Sequence, residues 1–342
     1  MDPWYLAHLV CPRDHLELGR NGSRLECARG HAYGVVNGIP VMLVADVEQT
    51  MGIAEASRKA ALDPSRQHEI PEELYLDCLP ISEEDRAGVG ALARQRTHPI
   101  DPVVAYLIGA TNGLMYRRLI GRLRTYPIPE LPMPPGGGEL LLDVGCSWGR
   151  WSIAAARNGY SAVGIDPSLG AIMAARRVAQ ALGTPVRYVV GDARFLPFRP
   201  ATFDRVFSFS VLQHLSVANA AVAVGEIARV LKTGGLSVVQ MPTRFGVRCL
   251  YHQARRGFRE ARGFEVRYWT LPELQRVFGG TIGNTETAVH CYFGIGLQRS
   301  DAPLMPPSFK VVLAASEWLR RASRWAPPLK WAADSVYVKS TK

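Results

Sequence analysis

The stretch LLLDVGCSWGRWS, Leu140 to Ser152, decides the fold. Its first half is an unbroken apolar run closing on Asp143 and Gly145, the pattern of a strand buried on both faces of a parallel sheet. A helical stretch, RWSIAAARNG, follows and is closed by Gly159. The turn between them reads Asp-x-Gly-x-x-x-Gly, with Asp143, Gly145 and Gly149. Glycines at these places let the backbone turn sharply and lie close against a ligand. This spacing differs from Gly-x-Gly-x-x-Gly, which offers a helix N-terminus to a pyrophosphate. An acidic side chain at the strand tip repels phosphate and attracts ammonium or sulfonium, so the turn suits a cationic ligand.

Outward from this turn, strands and helices alternate. YSAVGID is the next strand and SLGAIMAARRVAQALG the next helix; VRYVVGDA and FDRVFSFSV are two further strands. NAAVAVGEIARVLKTGG reads as a helix stopped by two glycines, before the strand LSVVQMP. Alternation of this kind predicts an α/β fold with a Rossmann-like sheet, helices on both faces and its ligand crevice at the strand C-termini. Asp166 ends the second strand, 23 residues after Asp143, where a carboxylate can take both hydroxyls of an adenosine ribose. Asp192 ends the third, placed to accept from an adenine amino group. FSFSVLQHL ends the fourth and puts Ser210 and His214 near the reacting end of the ligand. Three acidic strand tips in this order favour S-adenosylmethionine over a dinucleotide.

Residues from about 139 to 242 thus resemble the class I S-adenosylmethionine-dependent methyltransferases, of the small-molecule type. The resemblance implies a glycine loop at Asp143, Gly145, Cys146 and Gly149. It implies a ribose ligand at Asp166 and an adenine contact at Asp192 with Ala193. It also implies a seven-stranded sheet with a reversed last strand, for which SVYVKS near the C-terminus is the candidate. Asn-Pro-Pro-Tyr and Asp-Pro-Pro-Tyr, the family's signatures for methylating exocyclic amines, do not follow the fourth strand. An oxygen acceptor needs a base, and His214 and then His252 are the candidates.

The N-terminal residues 1–46 carry CPRDH, Cys11 to His15, and CARGH, Cys27 to His31, with β-like runs and the turn pair Asn37-Gly38. They resemble the zinc ribbon of certain ribosomal RNA guanine methyltransferases, with one cysteine replaced. Cys11, Cys27 and His31 with either Asp14 or His15 would complete a four-ligand, closed and therefore structural Zn2+ site. Residues 47–125 read as a helical segment or cap, with Leu107, Leu114, Leu119 and Leu123 at helical spacing over 101–124. Asn112, Tyr116 and Arg117 there are candidates to close over the cofactor. Tyr126 to Gly138 is a Pro/Gly linker or strap, and 139–342 the methyltransferase domain. An insertion at about 294–332 carries an aromatic-rich helix, expected as packing or as an acceptor-pocket lid.

Over 342 residues the net charge is +10, with eight arginines between Arg244 and Arg276 against Glu260, Glu265 and Glu273. Such a cluster favours an anionic or lipid-linked substrate, or RNA. The six cysteines form no dense disulfide framework, and neither a secretory signal nor an apolar spanning run is apparent. The expected place is the cytoplasm. Together these features predict an enzyme that O-methylates a small molecule such as a sugar, glycan intermediate or secondary metabolite. An RNA base methyltransferase and a non-catalytic cofactor-binding scaffold are the alternatives.

Overall fold

The computed structural model describes residues 1–48, 52–63, 70, 72–95, 98–112, 114–294 and 298–342. The chain starts with helix α1 (Pro3–His8), whose Asp2 side chain accepts from the Trp4 amide. Four short strands follow: β1 (Leu18–Asn21), β2 (Arg24–Cys27), β3 (Ala32–Val36) and β4 (Ile39–Pro40), antiparallel in that order. The β3–β4 turn is the expected Asn-Gly pair, with φ of 49° at Asn37 and 82° at Gly38.

Three helices come next: α2 (Ile53–Leu62), α3 (Glu83–Arg94) and α4 (Pro102–Thr111). The helical spacing over 101–124 predicted one continuous helix. Instead α4 stops at Thr111, and a 3-10 turn spans Leu114–Leu119. Gly109 permits this fold-back, because a Cβ there would lie 2.7 Å from the Ile120 side chain. Part of the 47–125 expectation falls on 49–51, 64–69, 71, 96–97 and 113, outside the described residues, as does the Leu114 side chain. The Pro/Gly stretch before the large sheet acts as a strap. The Gly136 and Gly138 amides donate to the carbonyls of Asn158 and Gly159, and Tyr160 donates to Pro134 O.

The large sheet contains β5 (Leu140–Val144), then helix α5 (Arg150–Arg157), β6 (Ser161–Asp166), helix α6 (Leu169–Ala181) and β7 (Arg187–Val190). It continues with β8 (Phe203–Phe209), helix α7 (Val217–Val230) and β9 (Leu231–Pro242). Helices α8 (Val247–Arg255) and α9 (Leu271–Thr281), strand β10 (Asn284–Cys291), helix α10 (Pro307–Ala322) and β11 (Ser335–Thr341) complete the chain. The strand order is β10-β11-β9-β8-β5-β6-β7. Six strands run in one direction, and β11, the SVYVKS segment, runs antiparallel to both its neighbours, β9 and β10. This is the expected Rossmann-like, seven-stranded sheet with a reversed strand. The LKTGG segment differs in detail: α7 stops at Val230, before the glycines. Strand β9 pairs Leu231 with Phe203 and loops out before pairing Leu236 with Arg205.

One apolar layer joins α2, α4 and α6 to one side of the sheet. On the other side α7 and α9 share a core with the N-terminal residues: Tyr5, Leu9, Leu25 and Met42 pack with Val189, Leu196 and Phe198. Residues 1–44 therefore have no core of their own. Their last extended residues pair in parallel with the end of β7, at Val41 and Val190, and the Met42 amide donates to Val190 O.

Candidate active site and metal centre

The β5–α5 loop is held from beneath. The amides of Gly145 and Cys146 both donate to the Ile165 carbonyl, and φ is 77° at Gly145 and 80° at Gly149. A Cβ at Gly149 would lie 2.5 Å from the Tyr188 hydroxyl and one at Gly145 2.2 Å from Val211, so both positions require glycine. Ser147 also takes a left-handed conformation, at φ 48°. The Asp166 carboxylate secures it by accepting from the Ser147 amide at 2.9 Å and the Ser168 amide at 3.0 Å. A carboxylate has about four acceptor positions, so each oxygen keeps one for a ligand. Burial pushes the Asp166 carboxyl up to about 6.

Asp143 lies deeper than its place at a strand tip suggested. It is buried and accepts from Ser152 Oγ at 2.7 Å, and burial, with some help from Asp166, pushes its carboxyl up to about 7. It supports the loop from inside. Cys146 is buried as well, its thiol beside Ser152 and Tyr188 against Gly164, with burial raising its pKa. Asp192 ends up engaged by a residue that sequence reasoning passed over. Arg194 donates to both of its oxygens and, through Nη2, to the Glu48 carbonyl as well. This leaves the Asp192 carboxylate little acceptor capacity for an adenine amine; Ala193 beside it is half-buried.

At the tip of β8, Ser210 adopts φ 62° and its Oγ accepts from Gln213 Nε2 at 2.8 Å. The same amide nitrogen is 3.3 Å from His214 Nε2. His214 Nδ1 lies 2.8 Å from the Phe264 carbonyl, and its ring stacks on Phe264 at 3.9 Å and 2°. A carbonyl only accepts, so Nδ1 carries the proton and Nε2 accepts from the Gln213 amide, which also donates to Ser210. Burial lowers the His214 pKa from 6.5, so the ring is neutral at pH 7. His252, the second candidate base, sits on α8 beside Tyr251, and no hydrogen bond among the described residues joins it to this group.

Over the loop, Trp148 Nε1 donates to Asn112 Oδ1 at 3.2 Å, which brings the end of α4 to the loop. Asn112 Nδ2 and Ser147 Oγ are buried with no hydrogen-bond partner among the described residues. Tyr116 reaches a different place: it donates to Asp301, which also accepts from Arg150 Nη2 at 3.2 Å. This buried ion pair fixes the 298–304 segment to the start of α5. Of the expected lid residues, Leu313, Phe309 and Val312 pack inward, whereas Trp318 and Trp325 are exposed. Residues 295–297 of that insertion lie outside the described residues.

In the N-terminal sheet, donor atoms of Cys11, Asp14, Cys27 and His31 all lie within 4.8 Å of one another. His31 Nδ1 is 3.4 Å from each sulfur and 3.1 Å from Asp14 Oδ2, and Cys27 Sγ is 3.6 Å from that oxygen. Metal–ligand lengths of about 2.0–2.3 Å give tetrahedral edges of roughly 3.3–3.8 Å, so the group fits one Zn2+. Tyr33 Oη, 3.1 Å from Cys11 Sγ, is positioned to donate to that sulfur. His15 is not part of the group. Its backbone, at φ 57°, turns the ring away to within 3.9 Å of Glu226, which leaves the fourth position to Asp14.

Gln213, Arg194 and Phe264 were the missed residues. Gln213 stood between two residues already singled out and Arg194 two positions after Asp192, so local spacing offered a signal for both. Nothing local pointed to Phe264, 50 residues beyond His214.

Residues 141–235 match a family model described as a methyltransferase domain. A ubiquinone biosynthesis O-methyltransferase of Rhizobium rhizogenes is 38% identical over 105 residues, covering 31% of this chain and 42% of the relative. A sterol 24-C-methyltransferase of Eremothecium gossypii is 37% identical over 105 residues, covering 30% of this chain and 28% of the relative. The chain spans less than half the length of these curated relatives. Among solved structures, a phosphoethanolamine N-methyltransferase 2 of Haemonchus contortus in complex with S-adenosyl-L-methionine aligns at a TM-score of 0.41 with 23% identity. That alignment covers 62% of this chain and 50% of the other.

Proposed function

We propose that this chain is an S-adenosylmethionine-dependent methyltransferase that methylates a hydroxyl group of a small molecule. Bound S-adenosylmethionine would supply a methyl group on a positively charged sulfur, already activated for displacement. Gly145, Ser147 and Gly149 would line its site with backbone, and the free acceptor positions of Asp166 would take its ribose hydroxyls. Asn112 Nδ2 and Ser147 Oγ, buried at the loop with no hydrogen-bond partner among the described residues, support a polar ligand there. Asp143 acts through the loop it props up.

The observation that carries the choice of an oxygen acceptor is His214, neutral at pH 7 with its Nδ1–H held by Phe264 and its Nε2 lone pair met by the Gln213 amide at 3.3 Å, a contact an acceptor hydroxyl would replace. It is built to accept a hydroxyl proton at Nε2, with the Phe264 carbonyl stabilising the resulting imidazolium. Gln213 and Ser210 position the ring and offer contacts to the acceptor oxygen. The names of similar proteins include both oxygen and carbon acceptors, so the choice rests on this histidine.

Cys11, Asp14, Cys27 and His31 serve, in this reading, as ligands of a structural Zn2+ that ties the N-terminal strands together. With all four positions taken by protein, such a site leaves no opening for chemistry.

The test is incubation with methyl-labelled S-adenosylmethionine and separate small-molecule and RNA fractions of the native host. Label in a small-molecule ether or ester, lost on His214→Ala, is the expected result. Label in RNA alone overturns the reading.

A further inference from the structure

Helix α8 has two unlike faces. Its inner face is fastened: Asp334 Oδ1 accepts from the amides of Arg248 and Cys249, Cys249 Sγ donates to Asp334 O, and Gln253 reaches Arg244 O. Its outer face offers Val247, Leu250 and Tyr251 to solvent, Val247 at 54% exposure. Phe245 precedes it and pairs with the exposed Trp331 at 6.4 Å, while Phe258 follows it at a loop tip, 67% exposed with φ 53°.

Cations border this apolar strip. The guanidinium groups of Arg248 and Arg255 lie over the Tyr251 ring at 5.7 and 5.8 Å. Of the nearby carboxylates, Glu265 is committed to Arg259 at 2.6 Å and Glu273 to Arg244 at 3.9 Å, and none is paired with Arg248 or Arg255 among the described residues. Arg248 and Arg255 therefore present positive charge outward beside bare Val, Leu and Phe side chains.

We propose that this face docks on the surface of an anionic lipid bilayer, with α8 lying in the interface. Charge selects the partner's sign, and the aliphatic residues select its kind. A nucleic acid satisfies arginine with its phosphates and stacks its bases on aromatic rings but gives Val247 and Leu250 nothing to enter. A bilayer provides anionic headgroups and an acyl boundary together. The attachment is peripheral, because no helix among the described residues is long and apolar enough to cross a membrane.

The same loop leads directly to the candidate base. Phe264 O holds His214, and Arg267 donates to the carbonyls of His214, Gly263 and Glu265. If the proposed methyl transfer holds, on which this one extension rests, the acceptor class is an amphiphile taken from the bilayer surface.

The experiment is co-sedimentation of the full chain with phosphatidylcholine vesicles and with mixed phosphatidylcholine–phosphatidylglycerol vesicles. About 1 kcal/mol per arginine near the surface predicts at least a tenfold preference for the mixed vesicles, lost at high salt. Arg248→Glu with Arg255→Glu reduces binding more than tenfold, and so does Val247→Ser with Leu250→Ser and Phe258→Ser. Both variants keep the wild-type melting temperature and S-adenosylmethionine affinity. Equal affinity for neutral vesicles, unchanged binding by either variant, or binding of RNA but not of vesicles overturns the proposal. Vesicle binding is read without any methyl transfer, so this surface and the proposed reaction fail independently.

Discussion

Two polar clusters in this molecule solve opposite problems. At the β5–α5 loop every carboxylate oxygen that matters has a donor supplied by the chain: Ser152 for Asp143, the Ser147 and Ser168 amides for Asp166. Around Cys11, Asp14, Cys27 and His31, two sulfurs, an imidazole nitrogen and a carboxylate converge, a donor set suited to zinc. The first cluster is finished and waits with spare acceptor positions at its edge. The second, in the proposed reading, is completed by a zinc ion at its centre. What separates the two is the kind of atom that converges: carboxylate oxygens held by chain donors in one, thiols and an imidazole in the other.

The strongest attack on that contrast is to remove a ligand from the second cluster. Cys27→Ala is expected to reduce bound zinc from one per chain to none. Structural zinc in small modules contributes about 10–16 kcal/mol of apparent binding energy, so the melting temperature falls steeply, as it does with a chelator. Elemental analysis of wild-type protein purified without added metal, if it returns no zinc, removes the distinction altogether.

Next in size is the reacting end of the first cluster. His214→Ala is expected to lower kcat by about 10²–10⁴-fold while leaving donor affinity unchanged by calorimetry. Since burial lowers the His214 pKa from 6.5, kcat/KM for the wild type rises through a value below 6.5 and is flat above it. A profile still climbing beyond pH 7 is incompatible with this base.

A finished cluster also carries a cost that titration reveals. The folded state raises Asp143 from 3.8 to about 7, so it holds a proton that the unfolded chain has already released. The associated stability is complete below about pH 4 and is lost as pH rises toward 7, roughly 4 kcal/mol across the window. Denaturant melts against pH should show this slope, and Asp143→Asn should reduce it to the smaller part that Asp166, raised to about 6, contributes. Least disruptive is Asp166→Ala, which removes hydrogen bonds to a carboxylate. The expected loss is about 1.5–3 kcal/mol of S-adenosylmethionine affinity, or roughly 10–150-fold. Wild-type affinity in this variant would show that Asp166 serves the loop alone.

Much of the large sheet was legible because its signals are local. Apolar runs closed by Asp-x-Gly, and glycines at helix ends, state where strands and helices change over. What escaped the sequence depends on partners that arrive from elsewhere. Asp192 reads as an open acceptor until Arg194 folds back on it. Asp14 and His15 are equally good zinc ligands on paper, and a left-handed backbone at His15 separates them. The tautomer of His214 is set by a carbonyl 50 residues away. The helix expected through Asn112 ended because Gly109 admits Ile120 against α4, a contact that helical spacing does not encode.

The pairing of Val41 with Val190 has a consequence for how the molecule behaves among its own copies. Strand β7 is the last of its sheet on that side, and a bare outer strand is a template on which another chain can add itself. Here the N-terminal residues occupy part of that outer margin and present their own short, turn-bounded strands in its place. An N-terminally truncated chain would expose it, and self-association by strand addition is the failure to look for.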